Sequence, residues 1–166
     1  QGFAQTHEGH NHTEGDGHNH EQAVVHTRKA PTEAELDELL KTNTVKAEHA
    51  AKFGRLIIQD AGGRMKPINT FSSELLRKVS HGNTFKGMNS DQVFLSMTQF
   101  ANIWLEVPLI YITPKNDSIR KIIGIDTKAK FAPFISFFDE KGNYKLSPYL
   151  DAAYKAANPN QFEKDL

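Results

Sequence analysis

The spacing of hydrophobic positions changes several times along the chain, and each change marks a predicted element. Thr32 is followed three residues later by Glu35, which is the pattern of a capping box at the start of a helix. Leu36, Leu39 and Leu40 then follow at helical spacing. The pattern predicts a first helix that begins near residue 32.

A second helix is predicted to end before Gly54, which we expect to follow it as a left-handed C-terminal residue. The apolar period then shortens, and residues 55–68 resemble two short strands on either side of Gly62 and Gly63. Pro67 has no N–H to donate, so the return strand is expected at an edge. The sequence therefore predicts a β-hairpin directly after the second helix.

Two amphipathic helices are predicted in the middle of the chain. Asn69 or Thr70 is expected to cap the first of them, whose apolar side consists of Phe71, Leu75, Leu76 and Val79. A loop with a glycine at each end follows. Asn89 or Ser90 is expected to cap the longest helix, which continues as far as Trp104. Its apolar stripe comprises Val93, Phe94, Met97, Phe100, Ala101 and Trp104.

Shorter elements are predicted in the last third of the chain. They are a strand at 108–112, a helical turn that stops at Gly124, a turn at 139–143, a helix that begins at Ser147-Pro148 and a further element after Asn158-Pro159. The phenylalanine cluster at 134–138 fits either a strand or a helix. Together these patterns predict an α+β fold, a mostly helical single domain with one short β-hairpin.

The first 30 residues lack any such period and differ in composition from the rest. Six of the eight histidines lie there, and the sequence Gly-His-Asn-His occurs twice, at 9–12 and 17–20. Of the sixteen aromatic residues, fifteen lie at or beyond Phe53, so only the later part can bury enough apolar surface to offset the entropy of folding. We therefore predict a disordered, His-rich arm over 1–30 and a folded domain over 31–166.

Composition excludes several classes of function. Lys plus Arg and Asp plus Glu both total 20, a balance that argues against a nucleic-acid binder. The absence of Cys excludes disulfides and thiolate metal sites. No apolar run approaches the roughly 20 residues that a membrane-spanning helix needs. The first residues carry no basic or apolar leader, so we expect any export signal to have been removed.

Candidate catalytic groups are scarce in the predicted domain. His81 is expected at the surface near a helix end, and His49 is expected to face solvent, so no catalytic residue is predicted. The two glycines at 62–63 lie between strands, which argues against a phosphate-binding loop. Arg64 at the hairpin tip either meets a partner or pairs with Asp60. The aromatic stripe before Trp104 either forms core or lines a ligand groove.

The strongest chemical signal is the set of histidines in the arm. In an extended chain, residues at i and i+2 project to one side, so His10 with His12 and His18 with His20 form two candidate bidentate pairs. Imidazole is a common ligand of Zn, Cu and Ni. The predicted metal ligands are His7, His10, His12, His18, His20 and His26. The alternative is a solvated linker that binds metal only adventitiously.

Five blocks of the domain resemble a known family. They are Phe53–Asp60 (FGRLIIQD), Gly63–Val79 (GRMKPINTFSSELLRKV), Gly87–Leu95 (GMNSDQVFL), Ile123–Asp126 (IGID) and Phe137–Leu146 (FFDEKGNYKL). In wording and order they are similar to an extracytoplasmic region of the large, fused ResB/CcsA-type cytochrome c biogenesis proteins of Bacteroidetes-like bacteria. The resemblance covers roughly residues 45–165.

The resemblance implies a part of a system II cytochrome c synthetase. In that family a multi-spanning membrane protein carries haem outward and presents it to an apocytochrome with a Cys-x-x-Cys-His motif. The family handles haem with a Trp-rich loop and flanking histidines, whereas this sequence has the single Trp104. No haem ligand of the family can therefore be assigned to a residue here.

Two functions follow from the resemblance and the arm. The first is a periplasmic accessory domain, at the periplasmic face of the inner membrane, that takes part by interaction in haem delivery or apocytochrome docking. Its partners would be the membrane part of the parent protein and apocytochrome c, with haem handled by the parent protein. The fragment itself would not be an enzyme. The alternative is a His-rich module that binds metal or haem.

Deletion of residues 1–27 should leave the thermal midpoint of unfolding within about 2 °C of the full chain in metal-free buffer. The arm has few apolar side chains, among them Phe3, Val24 and Val25, and these contribute no more than about 1 kcal/mol at roughly 25 cal/mol per Å². Differential scanning calorimetry of both chains measures the difference. A fall of about 10 °C would show that the arm packs on the domain.

Overall fold

The structure is a computed structural model, and it describes residues 30–166. The predicted α+β fold is confirmed, because 52% of the described residues are helical and the strands among them are few and short. The helices are α1 (Glu33–Asn43), α2 (Ala47–Gly54), α3 (Ile68–Ser80), α4 (Ser90–Gln99), α5 (Ala101–Trp104), α6 (Asp117–Ile123), α7 (Ser147–Lys155) and α8 (Gln161–Asp165). A 3₁₀ helix spans Phe134–Phe137, which resolves the ambiguous phenylalanine cluster.

The strands pair in three separate antiparallel ribbons within the described part of the chain. They are β1 (Ile57–Gln59) with β2 (Met65–Pro67), β3 (Thr84–Phe85) with β4 (Met88–Asn89), and β5 (Pro108–Tyr111) with β6 (Phe131–Pro133). The first ribbon is the predicted hairpin, in which Ile57 lies opposite Pro67. The second ribbon was not predicted, and of the third only the strand at 108–112 was predicted, which corresponds to β5.

Three helices begin at capping boxes that the sequence encodes locally. Thr32 with Glu35 caps α1 as predicted, and Asn89 with Gln92 caps α4. Asn160 starts α8 in the same way. In each case the side chain at the cap accepts a hydrogen bond from the third helical N–H, so a donor that the helix cannot satisfy finds a partner.

The hydrophobic core has two parts. The first lies among α1, α3, α4, α5 and β5, and its buried residues are Leu36, Leu40, Leu76, Met88, Val93, Trp104, Val107 and Leu109. The second lies around α6 and β6, and its buried residues are Ile112, Ile119, Ile123, Ala132, Phe137 and Leu146. The β5–β6 ribbon joins them, because Leu109 belongs to the first part and Ala132 to the second.

Arg120 occupies the interior of the second part and is only 2% exposed. Its guanidinium donates three hydrogen bonds to backbone carbonyl oxygens, at 2.8 Å to Ala129, 2.9 Å to Thr113 and 2.9 Å to Ile112. Asp117, at 3.7 Å, is its carboxylate neighbour. The buried guanidinium therefore has hydrogen-bond partners for its charge. Because these partners lie just after β5 and just before β6, Arg120 fixes both ends of the β5–β6 connection.

Two local predictions about helix ends were wrong. Gly54 is the last residue of α2 and not a left-handed residue beyond it, and a Cβ there would lie 2.5 Å from Oδ2 of Asp91. The glycine therefore permits the close approach of α2 and α4. Neither Asn69 nor Thr70 caps α3, which begins at Ile68 because the N–H of that residue already donates to the Leu56 carbonyl at 2.8 Å.

The predicted longest helix is divided in two. Phe100 has φ −126° and ψ 47°, so α4 ends at Gln99 and α5 begins at Ala101. The longest helix among the described residues is instead α3, with 13 residues. The predicted loop between Gly82 and Gly87 contains β3 and the turn of the β3–β4 ribbon, which is formed by Lys86 (φ 47°) and Gly87 (φ 82°). Two successive left-handed residues are typical of a tight hairpin turn.

The predicted arm lies outside the described residues, and so do the six histidines assigned to it. Its disorder and its boundary near residue 30 stay predictions. Among residues 30–166, no helix is both long and apolar enough to cross a membrane.

Replacement of Arg120 by Met should destabilise the domain by about 3 kcal/mol, because three buried carbonyl oxygens lose a charged donor. Urea denaturation followed by circular dichroism measures the free energy of unfolding. Lys121→Met is the matched control, since Lys121 is the exposed neighbour in the same helix, and it should change the free energy by no more than about 0.5 kcal/mol. Equal effects of the two substitutions would contradict the assigned role of Arg120.

Candidate binding groove

A groove of about 540 Å³ lies where α3, α4, α5 and β5 meet the 3₁₀ helix. Its inner surface is formed by the first core, through Trp104, Val107 and Leu109. The side chains of Val79 and Met97 line it as well. The groove is therefore an extension of the core that opens to solvent, as ligand and peptide sites commonly are.

Trp104 is held in place from two sides. Its Nε1–H donates to the hydroxyl of Ser96 at 2.9 Å, and both groups are buried. Its ring packs against Phe85 of the β3–β4 ribbon, with 5.8 Å between the ring centroids. The break at Phe100 makes this possible, because a new helical turn then carries Trp104 back over α4. A buried indole with its N–H satisfied gives the groove a rigid floor.

Exposed apolar side chains stand at the mouth of the groove. Leu105 and Phe134 line it and belong to the larger apolar residues that remain solvent-exposed. Ile135, next to Phe134, is also exposed, and its N–H donates to the Leu105 carbonyl at 2.9 Å. Among the described lining residues, Lys78 alone carries a formal charge. An apolar surface with one cation at its edge suits an apolar segment rather than a small charged metabolite.

His81 lies beside the groove in an unusual conformation. It follows α3 with φ 56°, a left-handed value that is uncommon for residues other than glycine. Its ring stacks on Tyr111, a lining residue, with 4.3 Å between centroids, and Tyr111 meets Phe131 edge to face at 5.9 Å. The exposed position predicted for His81 is confirmed, but its stacking on β5 was not foreseen.

The remaining sequence-based candidates stay apart from the groove. His49 is exposed on α2, as predicted. Asp60 pairs with Lys66 at 3.0 Å, so the expected partner Arg64 is not the one observed. Hydrogen bonds from the backbone N–H of Arg64 and from Lys66 hold the pKa of Asp60 below its ordinary value. Within 30–166, no group of three or more His, Asp or Glu side chains is placed to hold a metal ion.

The aromatic stripe serves both functions that the sequence left open. Phe94 packs against Phe53 and Phe71 between helices, whereas Trp104 and Met97 line the groove. That β5 and the 3₁₀ helix contribute to one groove was not predicted, because this depends on contacts between residues distant in the chain. The only local signal for the mouth of the groove was the run of phenylalanines at 134–138.

Comparison with known proteins finds one informative relationship. Over 116 residues the chain is 39% identical to Protein NrfI of Wolinella succinogenes. The aligned part is 69% of this chain but only 12% of NrfI, so the similarity concerns a small segment of a much longer protein. No family model matches the chain.

Proposed function

We propose that this chain is an accessory domain of a cytochrome c biogenesis protein, and that it acts by binding rather than by catalysis. The identity with NrfI over 116 residues carries the proposal, because it supports a role in cytochrome c maturation or haem attachment. The five sequence blocks that resemble ResB/CcsA-type proteins point to system II and to the periplasmic face of the inner membrane.

The groove supports a binding role. The buried ring of Trp104 forms its floor, and exposed apolar side chains line its mouth. Among the described residues, Lys78 is the one charged residue that lines it, and its side chain lies at the edge. Such a surface holds an apolar peptide segment by burial and leaves the polar groups of the peptide at the rim. In this proposal the occupant is a segment of apocytochrome c, the membrane part of the parent protein is the second partner, and haem is handled by that membrane part.

A peptide from an apocytochrome c that includes its Cys-x-x-Cys-His motif should bind the chain, and Ala101→Glu should weaken binding at least tenfold. Ala101 lines the groove, and docking of an apolar segment would remove the new carboxylate from water. Fluorescence anisotropy of the labelled peptide measures the affinity. The substitution should not harm folding, because an acidic residue is favourable in the first turn of a helix.

Asn102→Glu is the matched control, since Asn102 is the next residue of α5, is exposed and does not line the groove. It should leave peptide affinity unchanged. Absence of peptide binding, or equal weakening by both substitutions, would contradict the assignment of the groove. Covalent attachment of haem to the peptide by this chain alone would contradict the accessory role itself.

The second candidate function is metal binding by the His-rich sequence that precedes the domain. Two His-x-His pairs favour it, and four acidic residues near them could add oxygen ligands, namely Glu8, Glu14, Asp16 and Glu21. We propose that Zn, Cu(II) and Ni bind there with little selectivity, because a chain that must be ordered at the moment of binding does not impose one geometry. The ligands would be drawn from His7, His10, His12, His18, His20 and His26.

Zinc affinity should be higher at pH 7.5 than at pH 5.5, because free imidazole loses its proton near pH 6.5 and only the neutral form binds metal. Isothermal titration calorimetry at both pH values tests this. Joint replacement of His10, His12, His18 and His20 by Ala should abolish binding, and replacement of His49 and His81 should change it little. Tight binding that survives the fourfold replacement would show that the ligands lie elsewhere.

A further inference from the structure

The β1–β2 hairpin presents an apolar face that nothing in the described structure covers. Leu56, Ile57 and Met65 are 55%, 56% and 66% exposed, and they are the three most exposed large aliphatic side chains among the described residues. In the ladder Ile57 lies opposite Pro67, and Met65 lies opposite Gln59. Residues that face each other across an antiparallel pair share one side, so Ile57 and Met65 project together from the same face.

The charges of the hairpin are divided between its two faces. On the inner face Lys66 pairs with Asp60 at 3.0 Å and with Glu74 of α3 at 2.9 Å. The carboxylate of Asp60 also accepts the backbone N–H groups of Gly62 and Arg64, both at 2.9 Å. The acidic groups of the hairpin are therefore neutralised on the side that packs on the domain.

The cations beside the apolar face are exposed. Arg55 precedes Leu56, Arg64 precedes Met65, and Lys52 lies one turn earlier in α2. None of the three takes part in an ion pair among residues 30–166. Within residues 52–65 these three cations are exposed, and the one acid, Asp60, is paired with Lys66. Exposed aliphatic side chains with flanking arginines are the combination that favours an anionic lipid surface.

We propose that the β1–β2 hairpin is a membrane-contact surface that inserts Ile57 and Met65 among anionic lipids, with Arg55 and Arg64 at the headgroups. A lipid surface fits better than a protein partner, because two side chains on a two-stranded ribbon present far less area than the roughly 800 Å² per partner of a stable protein interface. Contact of this size gives weak, reversible binding that depends on charge. The inference is independent of the proposed role in cytochrome c biogenesis.

The full chain should co-sediment at pH 7.5 and low salt with vesicles of 30% phosphatidylglycerol in phosphatidylcholine, and much less with pure phosphatidylcholine. Binding should fall as salt is raised, because exposed charges are screened. Ile57→Ser with Met65→Ser should reduce partitioning at least tenfold. The double substitution Arg55→Gln with Arg64→Gln should reduce partitioning onto the anionic vesicles only, by about fivefold for each arginine removed.

The matched control is Phe134→Ser with Ile135→Ser, which removes two equally exposed apolar side chains from the groove mouth. It should leave vesicle binding unchanged. As a second measurement, the emission of Ile57→Trp should shift to shorter wavelength on anionic vesicles, since Trp104 is already buried and contributes little change. No binding of the unmodified chain, or loss of binding with the control pair but not with the hairpin pair, would overturn the proposal.

Discussion

The buried guanidinium of Arg120 is the interaction on which most of the architecture depends. β5 and β6 pair across a connection of about twenty residues, and closing a connection of that length costs entropy that two short strands cannot recover alone. Arg120 bonds to carbonyls just after β5 and just before β6, and so it fixes the connection from inside. The paired strands then supply residues to both parts of the core. The position of β5, which forms one wall of the groove, therefore depends on Arg120.

How much could be predicted from the sequence depended on the range of the interactions involved. The capping box at Thr32 and the β1–β2 hairpin are encoded within a few residues, and they were predicted correctly, while Asn89 was one of the two caps predicted for α4. The break at Phe100 was not predicted, because the apolar stripe continues through it and gives no sign that Trp104 bonds to Ser96 eight residues earlier. The role of Arg120 was equally invisible, since a charged residue in a short amphipathic helix is normally solvated.

The candidate site shows the same limit. The sequence left open whether the aromatic stripe that ends at Trp104 formed core or lined a groove, and whether the phenylalanine cluster at 134–138 was a strand or a helix. Only the fold brings Leu105, Tyr111 and Phe134 to one opening. The cluster of histidines was the most conspicuous chemical signal in the sequence, yet it lies outside the described residues, whereas the groove is built almost entirely from side chains that any core would contain.

The two proposed surfaces stand at opposite ends of one helix. β2 leads directly into the N-terminus of α3, and the C-terminal turn of α3 supplies Lys78 and Val79 to the groove. With 13 residues at 1.5 Å per residue, α3 separates them by about 20 Å. A domain that rests on anionic lipid through its hairpin would therefore hold the groove clear of the headgroups. The groove would then be accessible to an unfolded polypeptide in the aqueous phase. The weak contact with lipid would also restrict rotation of the domain relative to the membrane surface.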